Sequence, residues 1–166
     1  MADDLLPEDI VALAQRVVEA NAAIGRRVAL AESCTGGLVA AALTEIAGSS
    51  AVLDRGFVTY SNEAKQESLA VSSDIIETFG AVSVACVWAM AQGAIEHSGA
   101  DVAVAISGIA GPDGGSELKP VGTVVFARAC RGGDGEPEAE MRHLDGGSRS
   151  EIRRQATLVA LELLLP

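Results

Sequence analysis

A run of hydroxyl-bearing and glycine residues, segment 32–37 (ESCTGG), directly follows the short apolar stretch 27–31. Glycines at such a corner let backbone N–H groups face a ligand, so a nearby hydroxyl could attack a carbonyl while those groups stabilise the oxyanion. Ser33 is the candidate nucleophile, and Cys34 is a rival because a thiol is intrinsically more reactive. The structural alternative is that Ser33 or Thr35 caps the helix that follows, as Ser and Thr commonly do.

A candidate base lies in the segment 58–65 (VTYSNEAK), which holds the only tyrosine of the chain, Tyr60, and one of its two lysines, Lys65. A lysine removed from water can be neutral near pH 7 and can accept a proton from a serine. A tyrosine hydroxyl between the two groups could pass that proton on. The alternative is that Lys65 is a surface residue of a short helix.

Two further segments could bind an anion. The glycine-rich segment 107–116 resembles a nest of backbone N–H groups, although it lacks the GK[ST] ending of a P-loop. Six of the 12 basic residues lie between Arg128 and Arg154, and three of them surround the predicted start of the last helix. In so acidic a chain this clustering indicates either a site for an anion such as phosphate or a solvated helix face.

Composition limits the class of protein. The chain has 166 residues and a formal net charge of −11, from 12 Lys and Arg against 23 Asp and Glu. Its length suits one domain, residues 1–166, and its hydrophobic content of 49% is sufficient for a buried core. The acidic balance and the 3% of aromatic residues argue against nucleic acid as a ligand, because phosphate contacts need clustered Lys and Arg.

Cysteine usage and the N-terminal residues indicate a cytoplasmic protein. The three cysteines are widely spaced and form no CxxC pair, so neither a disulfide framework nor a zinc site is expected. The first ten residues are acidic, where a signal peptide would be basic. Residues 78–95 carry no charge, but polar and glycine residues interrupt them, so they predict a buried helix rather than a membrane span.

Hydrophobic periodicity predicts alternating strands and helices followed by a hairpin, with the acidic segment 134–140 around its tip. This order is typical of an α/β protein, here a three-layer α/β/α sandwich with a mixed, mostly parallel sheet. Ligands of such sheets bind beyond the carboxyl ends of strands, where segments 32–37 and 107–119 are expected. The predicted helices span 8–24, 38–46, 62–69, 73–79, 83–97 and 148–165, and the predicted strands 27–31, 51–61, 101–107, 121–130 and 138–144.

Four motifs together resemble those of the CinA carboxy-terminal domain family, whose stand-alone members are nicotinamide mononucleotide (NMN) deamidases of the PncC type. The resemblance extends from about Val11 to the C-terminus, and the motifs occur in a consistent order. They are AESCTGG at 31–37, VTYSNEAK at 58–65, SGIAGPDGG with KPVGTV at 107–124, and GGSRSEIR at 146–153.

The resemblance implies an activity and a set of residues. The activity would be hydrolysis of the NMN carboxamide to nicotinate mononucleotide and ammonia in pyridine nucleotide salvage, by a homo-oligomer without metal or cofactor. Ser33 matches the family's nucleophile, and Tyr60 and Lys65 match its tyrosine and lysine. The matched substrate-binding positions are Thr35, Gly36, Gly37, Ser107, Gly108 and Gly111, with Arg149 and Arg153 assigned to the phosphate.

Two other classes of function stay open at this stage. Like competence- or damage-associated members of the family, the chain could bind a nucleotide without turning it over, using its glycine loop and arginines as a sensor. Alternatively, the Ala-rich helices could make the chain an oligomeric interaction partner.

Overall fold

The computed structural model describes residues 3–133 and 138–166, and its elements follow the predicted order. The strand predicted over 51–61 covers only Leu53–Val58. Residues Ser49–Ala51 form a 3-10 turn ahead of it, and at the other end Ser61 already caps the next helix. Residues 134–137 of the expected acidic tip lie outside the described residues. The elements are α1 (Glu8–Ala23), β1 (Val28–Glu32), α2 (Leu38–Thr44), β2 (Leu53–Val58), α3 (Asn62–Leu69), α4 (Ser73–Phe79), α5 (Val84–Glu96), β3 (Val102–Gly108), β4 (Thr123–Cys130), β5 (Glu138–His143) and α6 (Arg149–Leu163).

The five strands form one mixed sheet in the order β2-β1-β3-β4-β5. Strand β1 pairs in parallel with both β2 and β3, whereas β4 is antiparallel to β3 and to β5. Four of the five strands therefore run in one direction. This confirms the expected mixed sheet.

Helices cover both faces of the sheet and complete the predicted three-layer α/β/α sandwich. Helices α1, α2 and α6 pack on one face, where the strands present large apolar residues such as Leu30, Ile106 and Phe126. Helices α3, α4 and α5 pack on the other face, where β1 and β3 present alanines such as Ala31 and Ala105. The alternation follows from the two-residue period of a strand, and small side chains let α5 approach the sheet closely.

Close packing also explains Gly93 in the middle of α5. A methyl group at Gly93 would overlap the carbonyl oxygen of Leu69, where α3 ends. In an exposed helix, replacing Gly by Ala stabilises the helix by about 1 kcal/mol. At Gly93 the overlap should make the same replacement destabilising. We expect Gly93→Ala to lower the free energy of unfolding by about 2–3 kcal/mol in urea unfolding.

Gly25→Ala is the control for this substitution. Gly25 has φ +65°, but among the described residues no atom lies within 4 Å of an added methyl group. Its replacement should cost about 1 kcal/mol, from backbone conformation alone. An equal loss in the two variants would contradict the packing role of Gly93.

The carboxyl ends of β1, β2 and β3 meet at one edge of the sheet. Glu32, the last residue of β1, lies in register with Val58 on β2 and Ile106 on β3. From β1 the chain continues to β2 on one side of it and later to β3 on the other side. The carboxyl edge at such a change of direction is where α/β sheets commonly bind ligands. The segments that begin at Ser33, Thr59 and Ser107 are therefore neighbours in space.

Candidate active site

Ser33 and Lys65 are in direct contact at this edge of the sheet. The Lys65 Nζ lies 3.0 Å from the Ser33 Oγ and donates a hydrogen bond of 2.8 Å to the Thr59 carbonyl oxygen. Lys65 is only 1% exposed and Ser33 7% exposed. The alternative of a surface lysine is thus wrong: α3 turns Lys65 inward beneath the nucleophile candidate.

The environment of Lys65 favours its neutral form. Burial lowers the pKa of the Lys65 ammonium group below its ordinary value, because the charged form loses its hydration. In residues 3–133 and 138–166 no carboxylate forms an ion pair with Lys65. A neutral amine beside a serine hydroxyl can accept its proton.

Tyr60 does not lie between the two groups. Its phenol oxygen accepts a hydrogen bond of 3.0 Å from Arg149 Nη2, and its side chain is 62% exposed. Only the backbone of Tyr60 approaches Lys65, with its carbonyl oxygen 3.5 Å from Nζ. The proton relay through the tyrosine is therefore not seen, because Lys65 reaches Ser33 directly.

Glu32, rather than Ser33 or Thr35, caps α2. The fully buried Glu32 carboxylate accepts hydrogen bonds from the backbone N–H groups of Val39 at 3.0 Å and Ala40 at 3.1 Å. It also accepts one from the Thr35 hydroxyl at 2.7 Å. Sequence analysis missed this role; the available signal was a carboxylate that ends an otherwise apolar strand directly before a glycine turn.

Thr35, Gly36 and Gly37 shape the turn and do not line the pocket beside Ser33. Thr35 is fully buried with its hydroxyl committed to Glu32. Gly36 and Gly37 have φ +57° and +102°, a region that favours glycine. Their predicted contact with substrate is not supported by this placement.

A cavity of about 190 Å³ opens beside the Ser33–Lys65 pair. Three predicted binding residues line it, namely Ser107, Gly108 and Arg149. The Ser107 hydroxyl donates to the Ala81 carbonyl oxygen at 2.9 Å, so it also fixes the segment before α5. Sequence analysis missed the other residues of the cavity wall. Asn62 could have been found, because it lies three residues before Lys65 and therefore on the same face of α3. The full lining is Ser33, Cys34, Tyr60, Asn62, Lys65, Ala81, Val82, Ser107, Gly108, Ala110 and Arg149.

The two motif arginines of α6 have different partners. Arg149 donates to the Gly111 carbonyl oxygen at 2.7 Å and to the Tyr60 hydroxyl, and it forms part of the cavity wall. Gly111 itself lies outside the wall and serves as an anchor for Arg149. Arg153 does not line the cavity, since its guanidinium donates to the backbone of the turn that follows Ser33.

Cys34 is a poor nucleophile in this setting. Burial raises the pKa of its thiol to about 11, so the reactive thiolate is scarce at neutral pH. Its side chain belongs to the core on the α1, α2 and α6 face of the sheet. These observations favour Ser33.

The described residues show neither a metal cluster nor a membrane helix. Within residues 3–133 and 138–166, no group of three or more His, Cys, Asp and Glu side chains is placed to hold a metal ion. None of the helices in that part of the chain has the length and apolar character needed to cross a membrane.

The chain is thus an α/β protein with a buried serine–lysine pair at the carboxyl ends of its parallel strands. Comparison with known proteins gives the family: the CinA C-terminal domain matches residues 10–166. The chain belongs to the CinA C-terminal domain family.

Relatives and solved structures agree with this membership. The chain is 52% identical over 156 residues to the nicotinamide-nucleotide amidohydrolase PncC of Escherichia coli (strain K12), covering 94% of this chain and 93% of that protein. It is 54% identical over 151 residues to the protein of the same name from Enterobacter agglomerans, covering 89% and 90%. The crystal structure of the competence/damage inducible protein CihA from Agrobacterium tumefaciens superposes with a TM-score of 0.92 at 50% identity, covering 96% of both chains.

Proposed function

We propose that this protein hydrolyses the carboxamide of NMN to nicotinate mononucleotide and ammonia. The observation that carries the chemistry is the 3.0 Å contact between Ser33 Oγ and Lys65 Nζ, both buried. The substrate follows from full-length similarity to relatives named nicotinamide-nucleotide amidohydrolase.

The pair supports a two-step acyl transfer. Lys65 takes the hydroxyl proton as Ser33 Oγ attacks the carboxamide carbon, and a tetrahedral intermediate forms. The Lys65 ammonium then returns the proton to the departing nitrogen, which leaves as ammonia and breaks the C–N bond. Water, deprotonated by the same amine, attacks the acyl-enzyme and releases the carboxylate and Ser33.

The Cys34 backbone N–H is our candidate donor to the oxyanion. The N–H groups of Ser33, Gly36 and Leu38 are occupied, since they donate to Ile106, Ser33 and Thr35 respectively. The residues Thr35 and Gly37 do not line the cavity. Within the described part of the chain the Cys34 N–H has no hydrogen-bond acceptor in another residue, and Cys34 lines the cavity. A backbone N–H directly after the nucleophile is a common oxyanion donor.

The remainder of the nucleotide would extend past Arg149. A second cavity, of about 280 Å³, adjoins the first and shares Ala110 and Arg149 with it. With the pyridine ring beside Ser107 and Gly108, Arg149 stands between the two cavities as the cation for the phosphate. The predictions for Ser107, Gly108 and Arg149 are kept in this proposal.

The test is ammonia release from NMN by the purified chain, with nicotinate mononucleotide measured in parallel. We expect the two products in equal amounts. NMN binding without release of either product would instead favour the non-catalytic nucleotide-binding protein of the competence- or damage-associated kind.

The same assay distinguishes Ser33 from Cys34. Because a thiol with a pKa raised to about 11 is almost entirely protonated at neutral pH, Cys34→Ala should change the rate by less than about threefold. A loss of activity that matches the loss in Ser33→Ala would instead identify Cys34 as the nucleophile.

The proposal extends to a homo-oligomer located in the cytoplasm. Several large apolar side chains are exposed, Leu118 by 91% and Phe79 and Val58 by 54% each. Exposed apolar side chains support a contact between subunits where they join into one patch. Size-exclusion chromatography with light scattering should give a mass above the 16.9 kDa of one chain.

A further inference from the structure

We propose that Arg153 is a positioning residue that holds the turn carrying the nucleophile, and that it is not a ligand of the substrate phosphate. The inference rests on the proposed function, because its kinetic consequence is measured on amide hydrolysis. It replaces the role that motif resemblance implied for Arg153.

Arg153 uses its guanidinium on the two residues that directly follow Ser33. Its Nε donates to the Cys34 carbonyl oxygen at 3.0 Å, and its Nη2 donates to the Thr35 carbonyl oxygen at 3.3 Å. Thr35 O also accepts from the Leu38 N–H at 3.1 Å, but Arg153 is the only partner of Cys34 O in the described part of the chain. Cys34 is buried, so loss of this donor would leave its carbonyl oxygen without a partner.

Arg153 lies outside the cavity that is proposed to bind the substrate. It forms part of a different cavity, of about 320 Å³, on the side of the turn where α1, α2 and α6 meet. The cavity beside Ser33 and Lys65 does not include it.

The turn that Arg153 holds sets the reacting geometry. It is closed by the bond from Gly36 N–H to Ser33 O at 3.0 Å and joined to β3 by the bond from Ser33 N–H to Ile106 O at 2.9 Å. The groups that make those bonds, and the Glu32 carboxylate that binds α2, belong to the sheet or to the turn itself and not to α6. Arg153 supplies the contact between the turn and α6. This contact keeps Ser33 Oγ close to Lys65 and keeps the Cys34 N–H directed at the cavity.

Arg149 and Arg153 therefore divide two tasks along α6. They are four residues apart and occupy successive turns of one helix face. Arg149 holds Tyr60 and Gly111 at the mouth of the cavity, while Arg153 holds the nucleophile turn behind it.

The test compares Arg153→Met, Arg153→Lys and the control Arg154→Met. Arg154 is the matched neighbour, because it donates to Glu151 and Asp9 and makes no hydrogen bond to the turn. A misplaced reacting group can cost about 100-fold in rate, so we expect kcat of Arg153→Met on NMN to fall by about that factor with KM nearly unchanged. Arg153→Lys should recover part of kcat, since an ammonium group can donate to Cys34 O, and Arg154→Met should resemble the wild type.

Two kinetic outcomes overturn the inference. A raised KM with unchanged kcat in Arg153→Met would make Arg153 a substrate ligand. Unchanged kcat and KM would leave it with no part in catalysis. Thermal unfolding of all three variants verifies that each is folded at the assay temperature.

Hydrogen exchange at the Gly36 N–H, measured without substrate, provides a readout that does not depend on turnover. We expect faster exchange in Arg153→Met than in the wild type and in Arg154→Met. Absence of ammonia release by the wild type would refute the proposed function, while faster exchange in that case would still support the positioning of the turn. Equal exchange in all the proteins would refute the positioning role itself.

Discussion

Ser33→Ala is expected to lower the rate of ammonia release from NMN by about 1,000-fold or more, because it removes the atom that forms the acyl-enzyme. The substitution deletes one buried oxygen and leaves the backbone of the turn in place, including the Cys34 N–H. NMN should still bind, since Arg149 and the other residues of the cavity wall are unaltered. Rates from stopped time points and binding by calorimetry measure the two quantities separately.

Ser72→Ala is the matched control for that experiment. Within the described residues Ser72 uses its hydroxyl only locally, as the cap of α4, where it accepts from the Asp74 N–H at 3.2 Å. Its loss should cost about 1 kcal/mol of stability and leave the rate unchanged. A rate above about a tenth of wild type in Ser33→Ala would exclude Ser33 as the nucleophile, because loss of a covalent catalyst is far more costly.

Lys65→Met should reduce the same rate by about 100- to 10,000-fold, the range expected for loss of a general base. Methionine approximates the length of the lysine side chain, so the main change is loss of the amine that contacts Ser33 Oγ and Thr59 O. Lys65→Arg provides the control for charge: it places a permanent cation at this position that cannot act as a base near neutral pH. Retained activity in Lys65→Arg would refute proton transfer to Lys65.

The lowered pKa of Lys65 also predicts how activity depends on pH. Only the neutral amine can accept the Ser33 proton, so kcat/KM should fall as pH drops through the lowered pKa. The decline should follow the titration of one group. A rate independent of pH between 5 and 9 would contradict the role of Lys65 as base.

The free energy of unfolding should also depend on pH through the titration of Lys65. In the unfolded chain Lys65 has its ordinary pKa, about 10.4, whereas the folded protein lowers it. Between the two values the unfolded state binds more protons, so the free energy of unfolding of the wild type rises with pH across that window. Lys65→Met should lack this contribution, which urea unfolding of both proteins at several pH values between 7 and 10 would reveal.

Local patterns were sufficient for the elements and for their arrangement in layers. The alternation of large and small apolar residues along 102–106 reflects the two faces of a central strand, and both faces are covered as predicted. Ser83 capping α5, where it accepts from the Cys86 N–H at 3.1 Å, is a similar local effect. Helix periodicity, capping and strand alternation depend on neighbours in sequence, so they are visible without tertiary structure.

Element boundaries were less predictable where two local preferences compete. Residues 51 and 52 fit a strand by composition, yet Ser49–Ala51 form a 3-10 turn that delays β2 to Leu53. Val52 marks the change from turn to strand. Its N–H still donates to Ser49 O within the turn, whereas its carbonyl oxygen already accepts from the Val28 N–H of β1. Pairing with β1 therefore determines where the strand begins.

The sequence by itself determined the alternating α/β order and the carboxyl-edge location of the candidate site, because residue type and strand ends specify these. Residue type alone left Cys34 and a surface lysine as alternatives, and it was the resemblance of the motifs to a known family that singled out Ser33 and Lys65. Only the tertiary structure decided the partner of each polar group. Tyr60 bonds to Arg149, 89 residues away, and Arg153 bonds to Cys34, 119 residues away. Two arginines in one motif thus serve different loops, because hydrogen bonds depend on distances of about 3 Å between segments that only packing brings together.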